Sequence, residues 1–184
     1  MSATSVLANW TDVEQSVGAF GASTFAIEGA ALQKNGDWAS YASHNSSAGE
    51  LAAELDFGNA ATRVSPGMVL GAKYKVRLTA DSTVDGRLNV SPADVGTSAL
   101  GSFMETKTVA SHRDAACDAS TFNHPESRDV ANDGSSFRLT PGSEHEFCIL
   151  VKFAETNAQG ERMTQGLSAE ANRVTWRFTA ASDI

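Results

Sequence analysis

Strict alternation of apolar and polar residues is the feature that most constrains this fold. The run Lys73–Thr79 alternates in this way. Its apolar residues Tyr74, Val76 and Leu78 fall on one side of an extended chain, and charged residues fall on the other. Side chains point to alternate faces in a β-strand, so the run predicts a strand with one buried face. Arg173–Thr179 repeats the pattern near the C-terminus.

A second kind of strand is predicted at Glu146–Phe153, which is apolar on both faces. Every second residue from Phe147 to Phe153 is apolar, while Cys148 and Leu150 fill much of the opposite face. This pattern is typical of a central strand covered on both sides. Further strands are predicted at Ala22–Ala30, Asp37–Ala42, Leu51–Phe57, Arg87–Val90, Gly101–Ser111 and Ser136–Leu139.

Turn-forming residues separate these runs. The turn signals are Asn35-Gly36, Ser65-Pro66-Gly67, Asp85-Gly86, Asp133-Gly134 and Thr140-Pro141-Gly142. Helical periodicity is confined to Ala48–Leu55, where a strand is preferred, and Gly166–Ala171. Short strands at this spacing predict an all-β jelly roll or β-sandwich of two antiparallel sheets with few short helices. A chain of 184 residues is long enough to bury one such core.

The charge balance argues against nucleic acid as a partner. The chain has 14 Lys and Arg against 22 Asp and Glu, a net charge of −8. It therefore has no basic footprint for phosphates. No apolar run approaches the roughly 20 residues that a membrane span needs, so none is expected in the mature chain. Met1-Ser2-Ala3 looks like a start placed before a mature chain, which leaves room for a removed signal peptide.

Two cysteines, Cys117 and Cys148, allow either a pair of reduced thiols or one disulfide. No metal-ligand spacing accompanies them. Cys148 lies in an apolar run, and Cys117 lies in the long polar loop at 113–134. The disulfide is favoured, because it would anchor a long loop to a core strand.

Residues with catalytic or metal-binding spacing are not found. The four histidines are scattered, and His145-Glu146 is followed by Ile149 where a zinc-peptidase motif would place its second histidine. The aspartates of the loops are interpreted as turn-capping residues, because they lack calcium-loop spacing. The sequence therefore predicts no enzyme, with no catalytic residue, no cofactor and no metal site.

Three tryptophans allow two interpretations. Trp10, Trp38 and Trp176 could form a sugar-stacking platform. Alternatively, Trp38 and Trp176 face the core from their strands, which the alternation favours.

The N-terminal segment has a strand-like run with no obvious local partner. We expect this run to be a self-assembly strand, formed by Thr4, Ser5, Val6, Leu7, Ala8, Asn9 and Trp10. Residues 1–18 are interpreted as an extension and residues 19–184 as the folded domain. A hinge is expected at Thr11–Gly18, between the run and the domain.

Several short segments together resemble a known family. They are Trp10-Thr11-Asp12 with Glu14, Gly18 and Phe20, then Phe25-Ala26-Ile27, Ser65-Pro66-Gly67 with Tyr74–Leu78 and Asp81-Ser82-Thr83, Leu139–Gly142 before the Glu146–Phe153 run, and Gln165-Gly166 before Val174–Ala180. In these segments the chain resembles the TasA/camelysin family of secreted proteins of Gram-positive bacteria. It departs from that family in its two cysteines and in the loop around Cys117.

The resemblance implies a jelly-roll fold and a secreted, structural role at the cell surface or in the biofilm matrix. Members of the family build fibres by donor-strand exchange, in which the N-terminal strand of one subunit completes the next. The implied partners are other copies in a head-to-tail fibre, with an assembly protein or cell-surface anchor as a further partner. Camelysins have been described as metalloproteases, but this chain has no HExxH motif.

Two other functions compete with the fibre subunit. One is a monomeric cell-surface adhesin or ligand-binding sandwich that uses the loop at 113–134. The other, a camelysin-like peptidase, has the least support, because no residue in the sequence is a credible catalyst.

Overall fold

The structure is a computed structural model that describes residues 11–13, 25–33, 35–42, 55, 64–97, 99–111, 115–163 and 174–183. These residues form the strands β1 (Thr11–Val13), β2 (Ile27–Ala31), β3 (Val69–Leu78), β4 (Gly86–Val90), β5 (Met104–Ser111), β6 (Ser136–Leu139), β7 (Glu144–Phe153) and β8 (Phe178–Ser182). A 3₁₀ turn at Gly101–Phe103 leads into β5, and the helix α1 (Ala119–Asn123) lies between β5 and β6. Within these ranges, no helix has the length and apolar character needed to cross a membrane.

The strands form two antiparallel sheets. The order is β1-β8-β4-β6 in the first sheet and β2-β3-β7-β5 in the second. Consecutive strands alternate between the sheets, except that β2 and β3 are neighbours in the second. Such wrapping is typical of jelly-roll sandwiches. The predicted all-β sandwich of two antiparallel sheets is confirmed.

The alternation in β3 determines which of its faces is buried. Tyr74, Val76 and Leu78 are buried in the core, as predicted. β3 pairs with β7 from Val69 opposite Lys152 to Arg77 opposite Glu144. This long ladder forms the centre of the second sheet.

Strand β7 is buried on both faces, as its sequence predicted. Phe147 and Ile149 belong to the core between the sheets. Cys148 and Leu150, which alternation places on the opposite face, are also buried. Something must therefore cover the outer face of the second sheet above β7.

Aromatic contacts fix how the two sheets face each other. Phe178 of β8 packs against Tyr74 of β3, with ring centroids 5.2 Å apart. It also packs against Phe147 of β7, which in turn contacts Phe137 of β6. The strand orders then place β1 and β2 along one lateral side of the sandwich. Strands β5 and β6 lie along the opposite side.

The last strand lies further along the chain than predicted. It spans Phe178–Ser182 rather than Arg173–Thr179, and Thr175 forms only an isolated bridge with Asp94. The small residue Ala180 is fully buried opposite Leu88, so the pairing continues beyond the clear alternation. The sequence pattern missed this because alanine gives a weak apolar signal.

The segment predicted as a strand at Asp37–Ala42 forms only two isolated bridges, from Ala42 to Gly29 of β2 and from Trp38 to Leu32 just after β2. The expectation that Trp38 faces the core is wrong, since its ring lies over Lys75 on the outer face of the second sheet. Trp176 is buried in the core, as expected. The proposed sugar platform is therefore not formed by Trp38 and Trp176.

Some predicted elements fall outside the described residues. Only Leu55 is described in the stretch that includes Ala48–Leu55 and Leu51–Phe57, and it packs against the core. The candidate helix Gly166–Ala171 also lies outside them.

Four of the predicted turns are confirmed by glycines in the left-handed region, where residues with a side chain are strained. These glycines are Gly36, Gly67, Gly134 and Gly142. Gly86 is different, because it begins β4. A Cβ on Gly86 would lie 2.6 Å from the ring of Phe25, so close packing explains this glycine.

Candidate functional site

The predicted self-assembly strand Thr4–Trp10 lies outside the described residues. Directly after it, Thr11–Val13 form β1, the edge strand of the first sheet. β1 runs antiparallel to β8, with Thr11 opposite Ala181. The first part of the predicted hinge is therefore strand, and the N-terminal extension joins the sandwich at a sheet edge.

Cys117 and Cys148 form a disulfide, with their Cα atoms 5.4 Å apart, so the favoured prediction is confirmed. Because Cys148 lies on the outer face of β7, the bond holds the chain around Cys117 against that face. Gly71 on the neighbouring β3 has no side chain, which leaves room for Cys117. A Cβ on Gly71 would lie 2.7 Å from the carbonyl carbon of Cys117 and 3.1 Å from its Sγ.

Helix α1 follows the disulfide and lies over the same face. The Asp118 carboxylate accepts hydrogen bonds from the hydroxyl and the backbone N–H of Ser120, which lower the pKa of Asp118. Lys107 Nζ donates to the carbonyl of Phe122 at 3.1 Å. The ammonium groups of Lys107 and Lys152 lie 5.8 and 5.5 Å from the centre of the Phe122 ring. We call residues 115–134 the disulfide-anchored loop.

The disulfide-anchored loop also caps the free edge of β5. Asp129 Oδ1 accepts from the backbone N–H of Thr108 at 3.0 Å, and Val130 N–H donates to the Thr108 carbonyl at 2.8 Å. The same carboxylate accepts from Ala131 N–H and from the Asn132 side chain. The loop therefore satisfies the backbone groups that an edge strand would otherwise expose at this point.

Strand β6 is the other edge on this lateral side. The carbonyl of Arg138 accepts a hydrogen bond from His145 Nε2 at 2.9 Å, so it points away from β4. Because backbone orientation alternates, Ser136 exposes its N–H and carbonyl on the same side. Within the described ranges, this contact with His145 is the one hydrogen bond at that edge of β6.

A second segment, residues 35–42, covers the outer face on the side of β2 and β3. We call it the aromatic cover. The side chain of Asn35 bonds both the N–H and the carboxylate of Asp37, which closes a tight turn. Lys75 Nζ lies 4.2 Å from the centre of the Trp38 ring, and the Arg77 guanidinium carbon lies 3.7 Å from that of Tyr41.

The aromatic cover is also joined to β7 by a hydrogen bond from the Tyr41 hydroxyl to the Glu144 carboxylate. Burial and this bond raise the pKa of Tyr41. The same bond is the main cause that lowers the pKa of Glu144, with help from Lys75. The neutral phenol and the ionised carboxylate are therefore the favoured forms in the folded protein.

Cross-strand ion pairs occupy the face between the two covers. Lys73 Nζ lies 2.8 Å from Glu146 Oε1, and both side chains are about nine-tenths buried. Nearer to the disulfide-anchored loop, Lys152 Nζ lies 2.9 Å from Glu105 Oε2. The charged side of the alternation is thus paired across strands.

Four of the loop aspartates cap turns, as the sequence predicted, whereas Asp85 pairs with Arg138. Besides Asp118 and Asp129, Asp94 accepts from Gly96 N–H and Asp133 accepts from Ser135 N–H. In the part of the chain that the structure describes, no three His, Cys, Asp or Glu side chains come together as metal ligands would.

Sequence reasoning missed three features of this face: the cap on Thr108, the close approach at Gly71, and the bond between Tyr41 and Glu144. Each joins residues far apart in the chain. The only local signals were the Asx pattern at Asp129 and a glycine inside an otherwise regular strand.

Comparisons with known proteins add no family. No protein-family model matches the chain, and a search of curated proteins finds no match.

Proposed function

We propose that the chain is a subunit of an extracellular fibre, in which residues Thr4–Trp10 of one copy add a strand to the next copy. The arrangement of the sheet edges carries the proposal. β1, which directly follows those residues, lies along one lateral side of the sandwich, and the edges of β5 and β6 lie along the other. A segment that leaves one side and binds the opposite side of a neighbour makes a head-to-tail contact, which propagates.

The length of the segment suits this role. Seven residues in extended conformation span about 23 Å, which is the length of an ordinary strand. Added strands bind mainly through main-chain hydrogen bonds, and alternate side chains supply specificity. Val6 and Leu7 would then point to opposite sides, one of them toward the acceptor.

The disulfide supports an extracellular location. Disulfides persist in oxidising compartments and are rare in the cytosol. The bond between Cys117 and Cys148 closes a sequence separation of 31 residues in a domain of modest size. A secreted matrix or surface protein fits this chemistry.

The test is a full-length chain compared with a variant that lacks residues 1–10 and keeps β1. We expect the variant to stay a folded monomer, while the full-length chain forms fibres in electron micrographs and scatters light. A variant of unchanged length, with Val6→Pro and Leu7→Pro, should also fail, because proline cannot donate to a strand ladder.

The matched control carries Val6→Ile and Leu7→Ile, which keep strand propensity and should still assemble. Fibres that persist without residues 1–10 would overturn the proposal. A full-length chain that stays monodisperse at high concentration would instead support a monomeric binding module.

A further inference from the structure

A groove of about 310 Å³ opens where the free edge of β5 meets the disulfide-anchored loop. Val109 and Ala110 form the wall on β5. The opposite wall includes Ala116, Ser120 and His124 of the loop, and Cys148 contributes from β7. The groove thus combines the edge of a sheet with a short helix beside it.

The backbone of Ala110 faces this groove. The N–H and carbonyl of Thr108 point away from β7, because Asp129 and Val130 bond them there. Backbone orientation repeats every second residue in a strand, so the N–H and carbonyl of Ala110 point the same way. No partner for them is found in the described ranges. Among the described residues, the cap ends at Thr108, and none bonds the backbone of Ala110 on this side.

The chemistry of the described lining narrows the choice of occupant. Among the described residues that line it there is no Asp, Glu, Lys or Arg. Such a lining offers no ion-pair partner to a charged segment, in a chain with 36 charged residues. Residues 1–10 also contain no charged side chain, and they are mostly small.

The position of the groove points to a second copy. The groove lies at the β5 side, and β1 lies on the opposite lateral side of the sandwich. The segment before β1 begins at that far edge, so its natural acceptor is another molecule that presents its β5 side. This geometry gives the head-to-tail contact of a fibre.

We propose that the groove beside Ala110 is the acceptor site for residues Thr4–Trp10 of a second copy, an inference that rests on the proposed function. The incoming strand bonds the N–H and carbonyl of Ala110 and runs between β5 and α1. Its uncharged side chains enter the groove. The disulfide holds the second wall in place, so the covalent bond becomes part of the assembly site.

Two full-length proline variants test this assignment. Ala110→Pro and Arg138→Pro each remove an N–H that points away from the paired strand, and proline is tolerated at such edge positions. We expect Ala110→Pro to slow fibre elongation by at least about tenfold, because it removes a donor and places a ring in the groove. Arg138→Pro should elongate at the wild-type rate, within about twofold.

A photo-crosslinking amino acid at position 116 of the full-length chain gives an independent readout. Mass spectrometry of the fibre should recover crosslinks to the peptide that contains Thr4–Trp10. If Ala110→Pro does not fold, Ala116→Trp replaces it, since this change fills the groove without altering the strand. That variant should also slow elongation.

The outcomes separate the acceptor site from the fibre proposal. If Arg138→Pro blocks growth and Ala110→Pro does not, the acceptor is β6, and the groove assignment is overturned while the fibre stands. Crosslinks to another segment, or normal growth of Ala116→Trp, also overturn it. Fibres that do not depend on residues 1–10 overturn the proposed function itself.

Discussion

Two segments cover the outer face of the second sheet, and they are attached in different ways. The disulfide-anchored loop is attached covalently through Cys117 and Cys148, with further bonds at Thr108 and Phe122. The aromatic cover has no covalent tie. It is held by ring contacts over Lys75 and Arg77 and by the bond from Tyr41 to Glu144.

Chain length explains the difference. The aromatic cover follows β2 closely, so ordering it closes only a short loop. The disulfide-anchored loop connects β5 of the second sheet to β6 of the first and reaches over β7 to β3 on the way. A longer loop has more conformational entropy to lose, so a crosslink that restricts the unfolded chain has more to contribute there.

Among the variants that test this comparison, the one without the disulfide should show the largest loss of stability. The variant with Cys117→Ala and Cys148→Ala should lose about 3–4 kcal/mol in free energy of unfolding, from the loop entropy of the unfolded chain. Urea denaturation measures this loss. Adding reductant should destabilise the wild type by a similar amount and leave the variant unchanged.

Hydrogen exchange then shows whether the loss of stability is confined to the disulfide-anchored loop or extends to the aromatic cover. The amide of Thr108, which the loop caps, should exchange faster in this variant. The amide of Gly29 bonds the carbonyl of Ala42, beside the aromatic cover. Its exchange through local opening of the structure should be the same in the variant as in the wild type. Unchanged protection at Thr108 would show that the cap on β5 does not need the disulfide.

Gly71→Ala should have the next largest effect, because the new Cβ meets the backbone of Cys117 rather than a flexible side chain. We expect a loss of about 1–3 kcal/mol in the wild type, as for other overpacked sites. In the variant without the disulfide the loop can move away, so the same substitution should cost less than half as much. Equal costs in the two backgrounds would contradict this, since coupling of contacting sites appears as non-additivity.

The sequence was sufficient for the sandwich because alternation acts locally. Tyr74, Val76 and Leu78 alternate with charged residues, and Phe147 to Phe153 fill both faces of one strand. Each pattern predicts which side chains of its strand are buried, whichever strand is the neighbour. Glycines in positive-φ turns, such as Gly142, are equally local signals.

The contacts of the disulfide-anchored loop and the aromatic cover could not be predicted in this way, because they depend on which strands are neighbours. Trp38 has a strand-like context, yet its ring lies over Lys75 on the outer face, and that placement follows from the order of β2 and β3. Asp129 was interpreted as a turn cap, which is correct. Its second contact, with Thr108, depends on how the loop returns to β5.

The smallest of these effects concerns the aromatic cover. Tyr41→Phe should lower the free energy of unfolding at neutral pH by about 0.5–1 kcal/mol, a modest figure because Glu144 is half exposed. The bond lowers the pKa of Glu144, so its contribution is present above the ordinary glutamate pKa of about 4.3 and is lost as pH falls through the lower folded value. The difference between wild type and variant should therefore narrow in acid.

At alkaline pH the shift in pKa is upward, on Tyr41, and it too narrows the stability difference between wild type and variant. Burial and the bond to Glu144 raise the pKa of Tyr41, so the contribution of the neutral phenol is full below the ordinary tyrosine pKa of about 10 and is lost as pH rises toward the higher folded value. Urea denaturation across this pH range should give the largest difference between about pH 5 and 10. A cycle with Glu144→Gln isolates the bond from the pairing with Lys75. A difference near zero at every pH would assign the attachment to the ring of Tyr41 over Arg77, which phenylalanine keeps, so that the aromatic cover would be held by packing and cation–π contacts alone.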